Sequence, residues 1–329
     1  MPTVRAKVVV LPGDGIGPEV AREARRVLER LVPDVELEER LLGAAAIRAT
    51  GEPLPQATLD ACLGATAVLK GPVGDPEFDA KDVRPEQGLL GLRGALDAYA
   101  NLRPAVQDGI DVLIVRELVG GLYFGAKGTR EDGTVFDTCE YHPREVERIV
   151  RRGFELARAR RGKLTSVDKA NILETSRLWR RIVDETAPRY PDVEVEHMLV
   201  DNAAMQLALA PRQFDVIVTE NMFGDILSDL AAAMTGGLGL APSASLSDGG
   251  AGIFEPVHGS APDIAGRGSA NPTAMLRSTA LLLEHGLGLR EESERLTAAI
   301  EGALESVRTP DLGGDGTTSD VGEAVLARL

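Results

Sequence analysis

The chain has 329 residues, 43% of them hydrophobic and 26% charged, which describes an ordinary globular protein long enough for one large or two ordinary domains. A formal net charge of −15 argues against general affinity for nucleic acid or an anionic membrane surface, because phosphate binding needs clustered positive charge. Cys62 and Cys139 are too few and too far apart for a disulfide framework, and no stretch is apolar enough to span a membrane, so a cytoplasmic enzyme is the expectation.

Short β-branched runs at Val8–Leu11, Ala67–Leu69, Val112–Val115, Leu164–Val167, Val193–Val200 and Val216–Thr219 read as strands. They alternate with helical patterns at Glu19–Leu31, Arg144–Arg160, Ser176–Thr186, Met222–Met234, Thr273–Glu284 and Glu291–Val307, which predicts an α/β fold. The first strand runs into Leu11-Pro-Gly-Asp-Gly-Ile-Gly-Pro-Glu19. Its spacing is G-x-G-x-G, and Pro18 stands where a dinucleotide fingerprint needs Gly or Ala, so it reads as a tight turn with Pro18 at the first helical position.

Three arginines follow apolar stretches: Arg93 after Gly88-Leu-Leu-Gly-Leu92, Arg103 after Asn101-Leu102, and Arg116 at the end of Val112–Val115. Any one of them is readily explained by a structural ion pair. Together, in a chain short of positive charge, they favour an anionic small molecule, because buried guanidinium groups need carboxylate or phosphate partners. Next, Gly120–Gly125 and Lys127–Asp137 break the α/β rhythm, and Asp132-Gly133 between two short strands signals a hairpin: a surface turn, or an arm presenting Tyr123 and Phe124 to a partner.

Lys169 lies just past the strand Leu164–Val167, where α/β proteins place ligands. Burial or a neighbouring cation there makes a base of it, and pairing with Asp168 makes it structural. Asp225 and Asp229 stand four residues apart on the apolar pattern Phe223–Asp229, so both carboxylates share one helix face and repel unless a cation neutralises them. Oxygen ligands favour Mg²⁺ or Mn²⁺ over Zn²⁺, and Asp201, opening another helical pattern, is the candidate third ligand; each aspartate alone also fits a cap or a solvated position. Finally, the Gly- and Pro-dense stretch Phe254–Gly266, continuing to Asn271-Pro272, describes a rigid loop that brings backbone close to a ligand.

In this order, Gly13-Asp-Gly-Ile-Gly17, Val115-Arg-Glu-Leu118, Gly121-Leu-Tyr-Phe-Gly125, Ser166-Val-Asp-Lys-Ala-Asn171, Asn221–Asp229 and His258–Gly266 closely resemble the isocitrate/isopropylmalate dehydrogenase family over nearly the whole chain. The resemblance implies a two-domain α/β fold with a mixed central sheet, unlike the classical Rossmann fold. Residues 1–97 and 237–329 would form a large domain with the cofactor loops. Residues 98–236 would form a smaller one with the dimer interface, the metal ligands and a β arm over about 118–140, the active site lying in the cleft between the two.

It further implies NAD-dependent oxidative decarboxylation of (2R,3S)-3-isopropylmalate to 4-methyl-2-oxopentanoate and CO2, a step of leucine biosynthesis, by a homodimer with shared active sites. Matched position by position, Arg93, Arg103 and Arg116 would bind the malate carboxylates, and Asp201, Asp225 and Asp229 would hold Mg²⁺ or Mn²⁺, with Lys169 and Asp201 reaching into the partner's site. Lys169 would be the base and Tyr123 the acid. Leu89, Leu90 and Ile172 would face the isopropyl group, since an extra carboxylate would be costly to bury against them.

For NAD, the resemblance points to Gly71, Pro72, Val73, Gly74 and Glu86 on the nicotinamide side. Glu255, His258, Gly259, Ser260, Ala261, Pro262, Asp263, Ile264 and Asn271 complete the cofactor-binding set, His258 and Asn271 matching positions around the adenine and Asp263 accepting from the adenosine ribose and repelling the 2′-phosphate of NADP. Competing expectations are a related 3-substituted malate, homoisocitrate, isocitrate or tartrate as substrate, and a regulatory subunit without activity, which should lack a base or metal ligand. One departure from the family is the short stretch Pro104–Ile110, expected to be a trimmed surface loop.

Overall fold

A computed structural model of the chain describes residues 6–107 and 109–329. The chain divides into two compact units, one built from the sequence up to Ala98 together with Leu238–Leu329, the other from Tyr99–Gly237. In chain order the first carries β1 (Lys7–Leu11), α1 (Gly17–Leu31), β2 (Glu36–Glu39), α2 (Ala44–Thr50), α3 (Gln56–Leu63), β3 (Ala67–Lys70) and α4 (Pro85–Ala95). The middle unit follows with β4 (Ala100–Gln107), β5 (Ile110–Glu117), β6 (Lys127–Thr129), β7 (Val135–Asp137), α5 (Pro143–Arg158), β8 (Lys163–Asp168), α6 (Glu174–Thr186), β9 (Glu194–Leu199), α7 (Val200–Leu209), β10 (Val216–Thr219) and α8 (Asn221–Met234). The chain then returns to the first unit with β11 (Pro242–Leu246), β12 (Gly252–Pro256), α9 (Thr273–Leu281), α10 (Arg290–Leu304) and α11 (Thr318–Leu326).

In the terminal unit β1 pairs in parallel with β2 and β3, β3 pairs in parallel with β12, and β12 runs antiparallel to β11. β3 and β12 are buried along their whole length, which explains why their sequences are not alternating. Val9, Leu11, Val68, Leu92, Leu96 and Ile253 form the core cluster on which α4 rests.

The middle unit has the same mixed character: β4 and β5 are antiparallel, while β5, β10, β8 and β9 are parallel neighbours. Its core gathers Ile114, Val167, Leu207, Phe214, Ile217 and Leu227, so α7 and α8 are seated by their apolar faces. β6 and β7 form a separate two-stranded hairpin, closed by the backbone bond from Arg130 N–H to Thr134 O across Asp132-Gly133.

Three local expectations change. Pro104–Ile110 is not a surface loop: Pro104–Gln107 continues β4, and the register carries the ladder as far as Gln107 opposite Ile110. Gly109, at φ +80°, leads into β5, while Asp108 lies outside the described residues. The strand expected over Val193–Val200 stops at Leu199, because Val200 begins α7. Tyr123 and Phe124, expected on the arm, sit in a single turn Gly121–Tyr123 and its C-cap, ahead of the hairpin strands.

Candidate active site

In the middle unit the acid and base residues are placed by α8 and the ends of the strands. Arg116 is the penultimate residue of β5, with Asn101 of β4 and Thr219 of β10 beside it in register. Its guanidinium donates to Asn221 Oδ1 from Nε at 3.1 Å and from Nη2 at 2.6 Å, and it forms an ion pair with Asp225. Gly224 permits this, since a Cβ there would lie 2.6 Å from Arg116 Cγ.

Tyr123 Oη donates to Asp225 Oδ2 at 2.9 Å, and the Arg116 guanidinium stands 5.5 Å from the centre of its ring. Burial, and after it the Asp225 charge, raises the Tyr123 pKa, so the phenol keeps its proton. One turn further along α8, Asp229 lies 3.6 Å from Arg103, which also donates to Asn101 Oδ1 at 2.9 Å and to Ser228 Oγ at 3.3 Å. Burial, and to a lesser degree Asp225, pushes the Asp229 carboxyl up, while Arg103 opposes the shift.

The other two middle-unit candidates form their own pair. Lys169 Nζ donates to Asp201 Oδ1 at 2.6 Å, and that bond holds the Asp201 carboxyl below its ordinary value. Asp168, the partner considered for Lys169 from the sequence, is instead held by Arg180 Nε and Nη2 at 2.8 Å. No three His, Cys, Asp or Glu side chains among the described residues are grouped so as to hold a metal within one chain. The expected Asp201, Asp225 and Asp229 set is therefore not assembled by a single copy. Asp225 and Asp229 do fit half of such a site, with oxygen donors one turn apart, partly exposed and mutually repelling.

In the terminal unit α4 presents Glu86, Leu89, Leu90 and Arg93 at spacings of three and four, hence on one face. Leu90 is exposed and Arg93 half-buried, the latter donating from Nη2 to Glu255 Oε1 at 2.8 Å. In the middle unit Ile172 is also exposed, without apolar cover in the single chain.

The loops expected to meet the cofactor are assembled around the Leu11–Glu19 turn. Ile16 N–H donates to Ser260 O and Asp14 N–H to Pro72 O, both at 2.8 Å. Gly15, at φ +58°, lets Ser260 approach, since a Cβ would sit 1.9 Å from its carbonyl oxygen. The buried Asp14 carboxylate accepts from the N–H groups of Ala44, Ala45 and Gly74, each at 3.0 Å. Gly71, Pro72, Val73, Gly74, Ser260 and the Glu86 side chain are thereby gathered: a Cβ built on Gly74 would stand 3.3 Å from Glu86 Oε1 and 3.7 Å from Ser260 Oγ.

His258 uses Nδ1 on Gly259 O at 3.0 Å, and its Nε2 is buried without a partner among the described residues. Ala261 adopts φ +39° ahead of the turn Pro262–Ile264, leaving the Asp263 carboxylate exposed. Asn271 bridges Thr273 N–H and Asp311 Oδ2. An orphaned imidazole nitrogen, an exposed acid and a cradle of close backbone fit a nucleotide with hydroxyls and a ring nitrogen to satisfy.

A family model described as isocitrate/isopropylmalate dehydrogenase matches residues 7–325. The chain belongs to the isocitrate/isopropylmalate dehydrogenase family. Among curated relatives, 3-isopropylmalate dehydrogenase of Zymomonas mobilis is 52% identical, covering 98% of this chain and 99% of its own length. That of Bacillus subtilis is 51% identical over 94% and 92%. Among solved structures, isocitrate dehydrogenase of Methylococcus capsulatus superposes with a TM-score of 0.91 at 41% identity, covering 98% and 99%. A beta-decarboxylating dehydrogenase of Thermococcus kodakarensis gives 0.86 at 40% identity, covering 98% and 96%. Family membership makes the chain an NAD-dependent decarboxylating oxidoreductase on this fold.

Sequence reasoning missed two buried charged groups of the terminal unit. Asp14 appeared only as a letter of the glycine motif, and its value lies in reaching three N–H groups distant in sequence. Lys70, at the end of β3, is buried and pairs with Glu255 Oε2 at 2.7 Å. A lysine closing an otherwise apolar strand was the available signal.

Proposed function

We propose that the chain catalyses NAD-dependent oxidative decarboxylation of (2R,3S)-3-isopropylmalate to 4-methyl-2-oxopentanoate and CO2, in leucine biosynthesis. The observation that carries the substrate is the face of α4, where Leu89 and Leu90 flank Arg93. That face offers one cation and an apolar patch, and burying a third carboxylate against it would be costly. Relatives about half identical over nearly their full length bear the matching name.

In this reading Arg93, Arg103 and Arg116 bind the malate carboxylates, and Leu89, Leu90 and Ile172 cover the isopropyl group. Asp225 and Asp229 hold Mg²⁺ or Mn²⁺, completed by Asp201 of a second copy. When bound, the ion supplies Lewis acidity at the C2 oxygen, and NAD⁺ supplies the hydride acceptor. Lys169 takes the C2 hydroxyl proton as hydride leaves C2. After oxidation the C3–carboxylate bond breaks, its electron pair passes into the C2–C3 bond and carbonyl oxygen, and CO2 departs. Tyr123, protonated and oriented by Asp225, delivers the proton to C3.

The homodimer is part of the same proposal. Lys169 and Asp201 are paired apart from Asp225 and Asp229 in one chain, so serving a neighbouring copy gives them a role. Met205 and Leu209 on α7 and Ile226 on α8 are 50%, 73% and 58% exposed, an apolar surface that a second copy would cover. A cytoplasmic setting and the lack of nucleic-acid partners agree with the acidic composition, and no described helix is long and apolar enough to cross a membrane.

The test is to combine the purified chain with 3-isopropylmalate, NAD⁺ and Mg²⁺ and follow NADH and CO2. The reading expects both products, silence with EDTA, and poor turnover of isocitrate, homoisocitrate and tartrate. A preference for a tricarboxylate would defeat the argument from Leu89 and Leu90, and activity indifferent to chelation would defeat the metal site.

A further inference from the structure

Three charges are buried together in the terminal unit. The Glu255 carboxylate is divided between two cations, Oε1 taking Arg93 Nη2 at 2.8 Å and Oε2 taking Lys70 Nζ at 2.7 Å. The Lys70 and Glu255 side chains are 2% and 6% exposed, and Arg93 13%. Lys70 has one further acceptor, Gly71 O at 2.8 Å. Arg93 Nε is buried with no partner among the described residues, so the guanidinium is not used up by Glu255.

We propose that Lys70 is a positioning residue: by neutralising Glu255 it leaves the positive charge of Arg93 available to a substrate carboxylate. This rests on the reading of Arg93 as a carboxylate ligand. Without Lys70, Glu255 and Arg93 would form a one-to-one pair of no net charge, and the incoming anion would compete with a buried carboxylate already in place. With Lys70 the group is +1, and in a site shielded from water that difference is large. The same lysine fixes the second oxygen of Glu255, so the edge of the guanidinium turned to Glu255 is set and the remaining donors face elsewhere.

The experiment uses the full-length enzyme and four variants: Lys70→Met, Lys70→Arg, Arg93→Gln, and Lys70→Met combined with Glu255→Gln. The readouts are the calorimetric Kd of 3-isopropylmalate with Mg²⁺ and no NAD⁺, so that any role of Glu255 toward the cofactor does not enter, and steady-state KM and kcat for the single Lys70 variants. Lys70→Met is expected to weaken Kd and raise KM about tenfold or more with kcat within about threefold, the split expected of lost ground-state binding. Lys70→Arg, which keeps the charge, should hold Kd within about threefold of the parent, and the double variant should recover to a similar level because no unneutralised carboxylate then faces Arg93.

Binding by Lys70→Met within about twofold of the parent, or a double variant no better than Lys70→Met, overturns the inference. If Lys70→Met fails to fold by circular dichroism, the double variant decides, since it removes the carboxylate together with the lysine and leaves only the partly exposed Arg93 charged: near-parental Kd supports the proposal and a loss of about tenfold overturns it. Should Arg93→Gln bind as tightly as the parent, the reading of Arg93 falls and takes the inference with it. A weakened Arg93→Gln beside an unchanged Lys70→Met removes the inference alone.

Discussion

Tyr123 and Asp225 meet through a single hydrogen bond of 2.9 Å, phenol to carboxylate, although one lies ahead of the hairpin and the other on α8. Asp225 thus has two duties in the proposed reaction, orienting the acid and holding the ion. Tyr123→Phe separates them. It should lower kcat by about a hundredfold or more, as expected for loss of a general acid, while KM for 3-isopropylmalate and Mg²⁺ dependence stay near the parent. Unchanged turnover would exclude Tyr123 as the proton donor.

The pairing of Lys169 with Asp201 leads to a complementation test. Lys169→Ala and Asp225→Ala should each be inactive as homodimers. Co-expressed, they form mixed dimers with one intact and one doubly damaged site, so about a quarter of parental activity should return if sites are shared as proposed. Co-expressed preparations as inactive as the separate variants would show that each copy carries a self-contained site.

The dinucleotide preference is expected to sit on Asp263, whose carboxylate is exposed beside the turn Pro262–Ile264. Replacing it by Lys should reduce kcat/KM with NAD⁺ by about tenfold or more and narrow the gap to NADP⁺, because a repelling charge becomes an attracting one. Equal kcat/KM with NAD⁺ before and after the change would refute that role.

Much of the scaffold was legible because it depends on local pattern. The helix at Glu19–Leu31 announces itself by Pro18 and by Val20, Ala24, Val27 and Leu28, all of which are buried in α1. The hairpin at Asp132-Gly133 was equally readable. Its counterpart before Gly109 was not, since Pro104 argues against a strand although it stands in register with Leu113. At the site, Asp225 and Asp229 were visible from spacing on one helix. The Lys70, Glu255 and Arg93 group joins three elements far apart in sequence, and no local pattern reports it.

Gly224 offers a steric test of Arg116. A methyl group there would lie within 2.7 Å of Arg116 Cβ and Cγ, so Gly224→Ala must displace the β5 end or α8. The substitution favours the helix by roughly 1 kcal/mol of propensity, so a fall in stability would have to come from the clash. We expect a lower Tm and a KM for 3-isopropylmalate raised about tenfold, and parental values would mean that Arg116 has room to move.

A pH effect is expected from Glu117, whose carboxyl is pushed up to about 7 by burial, against the pull of N–H bonds from Val119 and Gly120. A folded-state value above the unfolded one means that the native state holds the extra proton. The stabilisation is therefore full below about pH 4.5 and is lost as pH rises to about 7, amounting to at most about 3 kcal/mol. Glu117→Gln should flatten the dependence of Tm on pH over that window, and a slope identical to the parent would assign the titration elsewhere.

The Asp14 carboxylate, tied to three amide groups, pins the glycine turn to the start of α2 and to Gly74 of the loop expected beside the nicotinamide. Cutting that pin, as in Asp14→Ala, would loosen the nicotinamide grip at its base, while the backbone bond from Ile16 to Ser260 would still hold the adenosine-side loop. Drift at this position over generations would therefore be costly even though no atom of Asp14 needs to touch the coenzyme.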